Sequence, residues 1–410
     1  MQKVIFIICD GMPDRPIKEL GNKTPLEVAR TPNLDAIARD GISGMMHTIN
    51  IGVRPGSDTA HLSIFGYDPY SYYSGRGPYE CAGIGMDILT GDVAFRANAG
   101  TLDKNEILVD RRAGRISSTK KVIEALGKIE IRGVEFILQS SLGHRIGLVI
   151  RGKGLSTKIS DQDPHKTGVK LLEMRPLDGS PEAKFTAYIM NQFTKIVNEK
   201  LKDTEYNKRR TKEGKLPANT ILFRGAGSIP ENLLSFRDKY KLRSAFIAGA
   251  PMYKGIAKIL GMDVVAFNDI DKVTGLPDSQ VDVKIKKAMA LENDHDIIFV
   301  HIKAADSLAE DGNYKGKIEF IEKIDKALEP LAKSNEYITV ITADHTTSSK
   351  LQMHTADPVP ITIKGEGIRT DDIERYTERE CAKGRLGMIR GENVMPILID
   401  LMGLAELYGA

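Results

Sequence analysis

Cysteine is scarce. Only Cys9, Cys81 and Cys381 occur in 410 residues, far apart and with no Cys-x-x-Cys pair. An odd, scattered set excludes a disulfide framework and fits a reducing compartment. Excess charge is equally scarce, with 58 basic against 55 acidic residues and a net +3. That balance argues against a nucleic-acid partner, and the densest basic run, NKRRTKEGK at 207–215, follows a helical pattern and reads as a solvated helix end. Long apolar runs are missing too. VIFIIC before Asp10 has six residues, too short for a signal peptide or a membrane span, and no later run is long enough. These absences predict a cytoplasmic protein with no membrane partner. Nucleotide motifs are also missing. There is no GxxxxGK[ST], and the glycines of 75–85 do not match GxGxxG. Neither an internal repeat nor a low-complexity segment is found.

What remains is an ordinary globular composition, 41% hydrophobic and 28% charged, long enough for two or three domains. VIFIIC (4–9), DIIFVHI (296–302) and YITVITA (337–343) are β-branched and apolar on both faces, as buried parallel strands are. Amphipathic stretches lie between them. TPNLDAIARDG (31–41) carries proline at a helix start and glycine at its stop. This predicts an α/β fold with a mainly parallel sheet flanked by helices. The middle differs. SGRGPYECAGIGMD (74–87) reads as a glycine-rich connector. Short strands GDVAFRAN, VEFILQSS, HRIGLVIRG and NTILFRG follow, with one long helical pattern near 184–202. The expected organisation is a discontinuous domain, 1–91 and 231–410, with a smaller α+β domain, 92–230, inserted into it.

Three of the predicted parallel strands lead into aspartates, Asp10, Asp306 and Asp344, with His345 and His354 close behind the last. One aspartate after a strand commonly caps a helix or starts a turn. Three at the carboxyl edge of one sheet, where ligands bind, form a costly cluster of like charges. A divalent cation resolves that cost, and Asp oxygens with His nitrogens suit Mn, Mg, Co or Zn. Ser57, in GVRPGSDTAHLSIFGYDP (52–69), has two readings. It stands where an N-cap would, ahead of a helical run. It also suits a nucleophile if a metal stabilises its alkoxide, which points to phosphoryl or sulfuryl transfer. His61, one turn later, reads first as a packing residue.

The set IICDGMPDRP, TPNLDAIARDG, GVRPGSDTAHLSIFGYDP, GRGPYECAGIGMD, HIKAAD and TADHTT…MHTADPVPI resembles the archaeal-type, 2,3-bisphosphoglycerate-independent phosphoglycerate mutases of the alkaline phosphatase superfamily, in order and over nearly the whole chain. The resemblance implies interconversion of 3-phosphoglycerate and 2-phosphoglycerate through a phosphoserine, with two divalent metal ions and no bisphosphoglycerate cofactor. It implies that Ser57 is the nucleophile. One metal set falls on Asp10, Ser57, Asp344 and His345, the other on Asp306 and His354. The family's remaining histidine, four residues after the aspartate, is here Glu310. A carboxylate at that place favours harder ions such as Mg or Mn if it ligates, and weakens the second site if it does not.

Such a mutase must grip the phosphoglycerate carboxylate and phosphate, work suited to arginine forks, and must shield the phosphoserine with a lid. The inserted domain is the expected lid. Candidate substrate ligands are Arg111, Arg112, Arg115, His144, Arg145, Asp163, His165 and Arg224, with Lys254 in the first domain. Two rivals stand beside this reading: a metal-dependent phosphatase of the same superfamily, and a weak relative that binds phosphometabolites without turnover. Homo-oligomerisation is left open.

Overall fold

The computed structural model describes residues 2–268 and 271–409. The chain divides into two compact units, Met1–Ser71 with Leu234–Ala410, and Tyr72–Leu233. In chain order the strands are β1 (Lys3–Cys9), β2 (Gly41–His47), β3 (Val93–Leu102), β4 (Ile107–Asp110), β5 (Ile129–Ile131), β6 (Val134–Ser140), β7 (Arg145–Arg151), β8 (Val169–Lys170) and β9 (Thr220–Gly227). They continue with β10 (Ser244–Ile247), β11 (Asp263–Val264), β12 (Ile297–Ile302), β13 (Tyr337–Thr342), β14 (Thr346–Ser348), β15 (Met353–Thr355), β16 (Val359–Lys364) and β17 (Gly387–Arg390).

The first unit is built on one eight-stranded sheet, ordered β11-β10-β12-β1-β13-β16-β2-β17. β11, β10, β12, β1 and β13 run parallel, and β16 is antiparallel to both β13 and β2. β1, β12 and β13 read apolar on both faces because both faces are covered. The expected α/β class is the one observed. Register then places the site. Ile8 lies opposite His301 on one side and Thr342 on the other, so these strands end together. The residues just past them, Asp10, Asp306 and Asp344, therefore meet at the carboxyl edge.

The second unit is an antiparallel sheet, ordered β5-β6-β7-β3-β4-β8, with β9 also paired to β3. One face carries Phe95, Ala97, Leu148 and Phe223 against Ile189, Met190 and Phe193 of the helix Pro181–Lys202. That helix starts on Ser180, whose hydroxyl accepts from the Ala183 amide, followed by Pro181. On the other face Ala94 and Val149 pack under Cys81 and Met86. The stretch 74–87, expected to be a connector, instead holds the helix Gly77–Gly83. Gly77 serves contact rather than a turn, since a Cβ there would lie 2.0 Å from the Ala94 carbonyl oxygen. Cys9, Cys81 and Cys381 are all buried free thiols.

Candidate active site

The helix Ser57–Ile64 starts at Ser57, and Gly56 takes the N-cap position. Thr59 closes this cap: its hydroxyl accepts from the Gly56 amide and donates to the Gly56 carbonyl. The cap reading of Ser57 is thereby corrected. Its hydroxyl is free of backbone duty and lies 3.1 Å from His345 Nε2. The same nitrogen is 3.3 Å from Asp10 Oδ1 and 3.3 Å from Asp344 Oδ2. Both of these carboxylate oxygens are buried without a hydrogen-bond partner.

The surroundings fix the imidazole tautomer. His345 Nδ1 lies 3.0 Å from the Thr347 hydroxyl, which donates to Asp306 Oδ1 at 2.8 Å. With the hydroxyl proton committed to Asp306, His345 Nδ1–H donates to Thr347, and the Nε2 lone pair faces Ser57, Asp10 and Asp344. His354 is set the same way. Its Nδ1 donates to the Pro55 carbonyl at 3.0 Å, and its Nε2 faces Asp306 Oδ1 at 3.4 Å. Asp10, Asp344 and His345 form one donor group and Asp306, His345 and His354 another, each with atoms within 4.8 Å of one another. His61, His301 and Asp344 make a third such group, wholly buried. Glu310 stands at the rim, half exposed, with Oε1 3.8 Å from His354 Nε2.

The electrostatics are those of carboxylates crowded together out of water. Burial pushes the Asp344 carboxyl well up, and Asp10 and Asp306 push it further. Burial also opposes ionisation of Asp10, yet the Lys303 ammonium and the His301 hydrogen bond hold its carboxyl well below the usual range. His345 is pushed down to about 3 by burial, so it is a neutral donor. Lone pairs of imidazole, buried carboxylates and two orphaned oxygens together suit divalent cations. The residues fit the metal chemistry.

Several neighbours were not singled out in the sequence. Lys303 Nζ bridges Asp10 Oδ2 at 3.3 Å and Asp306 Oδ2 at 2.8 Å. The Tyr253 hydroxyl donates to Asp10 Oδ2 at 2.5 Å, and His301 Nε2 lies 3.0 Å from the same oxygen. Lys303 stood three places before Asp306, one helical turn away, the only signal available. His61 is fully buried, bonded through Nδ1 to the Ser57 carbonyl and packed edge-on to Phe65.

In the second unit, Arg111 grips Asp163 with two hydrogen bonds, 3.0 and 2.7 Å, and lies 3.3 Å from His165 Nδ1. Arg224 reaches Asp163 at 3.5 Å, while its Nε is buried without a partner. His144 is pushed down to about 4 by burial and by the charges of Arg145, Arg112 and Arg224. Arg115 is exposed at φ 55 and its side chain makes no hydrogen bond or ion pair among the described residues. Lys254, in the first unit, is half-buried on the helix Pro251–Ile259 and unpaired among the described residues.

A serine oxygen facing buried carboxylates and imidazoles, at the carboxyl edge of a parallel sheet, defines a metal-assisted group-transfer type of centre. Comparison with known proteins makes the class specific. The pattern of the 2,3-bisphosphoglycerate-independent phosphoglycerate mutase family matches residues 38–207. A protein of that name from Methanocaldococcus jannaschii is 47% identical over 99% of this chain and 98% of its own length. One from Methanosphaera stadtmanae is 47% identical over 100% of both. Among solved structures, a Pyrococcus horikoshii protein covers 100% of this chain and 99% of its own, with 37% identity and a TM-score of 0.86. The cofactor-independent phosphoglycerate mutase of Thermoplasma acidophilum covers 98% of this chain and 100% of its own, with 38% identity and a TM-score of 0.74. The chain belongs to the family of 2,3-bisphosphoglycerate-independent phosphoglycerate mutases. No helix among the described residues is long and apolar enough to cross a membrane.

Proposed function

We propose that this chain interconverts 3-phosphoglycerate and 2-phosphoglycerate through a phosphoserine on Ser57, with two divalent cations and no bisphosphoglycerate. The observation that carries the reading is Ser57 Oγ placed against the His345 Nε2 lone pair and the unpartnered oxygens of Asp10 and Asp344. Asp10, Ser57, Asp344 and His345 would hold one ion. Asp306 and His354, with Glu310 in reach, would hold the other. Bound there, the ions stabilise the serine alkoxide and the charge of the transferring phosphoryl group.

The chain's own residues then do the following. Ser57 Oγ forms a bond to phosphorus as the bond from phosphorus to the substrate oxygen breaks. Lys303 holds Asp10 and Asp306 ionised and apart. Thr347 keeps His345 and Asp306 oriented. The arginines of the inserted unit keep glycerate from leaving, and its other hydroxyl takes the phosphoryl back from Ser57. Water must be excluded while the phosphoserine exists, a task we assign to the inserted unit as lid. A glycolytic substrate and the reduced thiols support a cytoplasmic setting.

The test is a coupled assay on metal-stripped protein reloaded with Mn, Mg, Co or Zn. Enolase reports 2-phosphoglycerate and free phosphate is followed in parallel. Metal-dependent isomerisation that is lost in Ser57→Ala is expected. Phosphate release without 2-phosphoglycerate would replace the mutase by a phosphatase, and silence with every metal would leave a binding protein.

A further inference from the structure

Thr347 is where the two proposed metal sets meet. Its hydroxyl joins His345 of one set to Asp306 of the other. On the β14–β15 hairpin it stands opposite His354, whose ring stacks on His345 with centroids 3.6 Å apart. That hairpin is a two-stranded sheet, with no further strand beside it among the described residues. Two strands alone are marginally stable, so Thr347 has to be fixed from outside the ribbon.

Lys317 supplies the hold. It lies on the helix Tyr314–Ala327 and is fully buried, whereas Lys315, Lys323 and Lys326 of that helix are exposed. Its ammonium donates to the Thr347 carbonyl at 2.9 Å, the Pro13 carbonyl at 3.1 Å and Asp14 Oδ2 at 2.9 Å. The Pro13 carbonyl also accepts from the Thr347 amide at 3.1 Å. Asp14 is committed to the same knot. It accepts from the Ser349 hydroxyl at 2.6 Å and from the amides of Ser349 and Arg15, and its own amide donates to Glu378. Residues 13–15, just past Asp10, are thus tied to residues 347–349, just past His345. An ion pair out of water is a costly way to join two segments, since apolar side chains of similar volume commonly do as well. What such a pair adds is a single permitted arrangement.

We propose that Lys317, paired with Asp14, is a positioning residue that holds Thr347 in the one orientation serving both metal sets, and so fixes the spacing of the two sets. The proposal rests on the two-cation reading given above. Lys317 acts at one remove: it grips the Thr347 main chain, and the Thr347 side chain sets His345 and Asp306. If the hydroxyl turned away, His345 would lose the acceptor that fixes its tautomer and Asp306 would lose a donor, so both sets would suffer together. In the sequence Lys317 looks like its solvated neighbours, because its three partners lie on loops and strands far along the chain.

The test is manganese titration of the full chain, with free ion read by electron paramagnetic resonance and stability read by thermal unfolding of metal-free protein. Lys317→Met combined with Asp14→Asn removes both charges, so neither is left buried alone. This pair should unfold within about 3 °C of wild type, yet bind manganese about tenfold or more weakly. Thr347→Val, which removes only the hydroxyl, should weaken manganese to a similar degree. All three changes together should cost little more than Thr347→Val, because they act on one orientation. At saturating manganese, kcat should fall in the charge-free pair while KM for 3-phosphoglycerate stays within about twofold. Wild-type manganese affinity in that pair, or losses that simply add, overturns the proposal. If the pair does not keep the unfolding temperature, Ser349→Ala loosens the same knot without stranding a charge and should weaken manganese by about two- to fivefold. No weakening there overturns it, and so does a wild-type protein that takes up no manganese. Wild-type protein that binds manganese but isomerises nothing would sink the mutase reading and leave the role of Lys317 standing.

Discussion

Gly11 shows how tightly the centre constrains a single residue. Its φ is +63, and an added Cβ would meet Thr347 Oγ1 at 2.5 Å and the Asp306 Cα at 2.7 Å. Gly11→Ala should therefore cost about 2–5 kcal/mol, from left-handed strain plus overpacking. It should also weaken manganese binding, read by thermal unfolding and by electron paramagnetic resonance. Glu310 stands at the rim of the second donor group, 3.8 Å from His354 Nε2. If it ligates, Glu310→Gln should weaken the looser of two bound manganese ions by about tenfold or more. Glu310→His should restore affinity but raise the preference for zinc over magnesium, measured by competitive metal titration. Asp10, Asp306 and Asp344 were legible in the sequence because each follows a strand whose β-branched composition is unmistakable. Lys303, Tyr253 and Thr347 were not, because what matters about them is a partner far away in sequence. Tyr253 meets Asp10 from 243 positions away, and nothing local announces that.

Elements are held to one another by polar ties at their starts. Asp296 lies just before β12 and binds Lys3 of β1 at 2.9 Å and the Arg243 amide, before β10, at 2.9 Å. It thus joins the beginnings of three neighbouring strands. Burial opposes its ionisation, but the Arg243 amide and Lys3 hold its carboxyl down at about 2. A depressed folded value means that the stabilisation is present above the unfolded value near 4 and is lost as pH falls through about 2. Asp296→Asn should lose about 2 kcal/mol at pH 7, and the gap to wild type should close between about pH 4 and pH 2 in urea titrations. At this scale the parallel strands were easy to read and the helix Gly77–Gly83 was not. Glycine signals both turns and close approach, and only the neighbouring β3 backbone shows which of the two Gly77 serves.

For the molecule as a whole, the division of labour follows the division of the chain. Every candidate metal ligand belongs to the unit Met1–Ser71 with Leu234–Ala410, whereas the clustered arginines belong to Tyr72–Leu233. The two ends of the interruption lie close within the first unit, where the Tyr67 hydroxyl donates to the Leu234 carbonyl at 3.1 Å. Replacing 72–233 by a short glycine-serine linker should leave a protein that binds manganese with nearly the affinity of the full chain and isomerises nothing. Loss of manganese binding in a folded variant would show that the centre depends on the inserted unit. The insertion itself could be recognised from its change of strand pattern. Which of its arginines share a face could not, because register decides that and register is not written in any one strand.

The same discontinuity sets a schedule for synthesis. Asp10 and Ser57 leave the ribosome early, but β12 and β13, the partners of β1, come only with residues 297–342, and His354 later still. β1, buried over nearly its whole length, must wait unpaired for most of translation, while the inserted unit is free to fold first. A truncated chain therefore carries Ser57 without the His345 and Asp344 that face it in the folded protein, and early termination should yield a sticky, inert fragment.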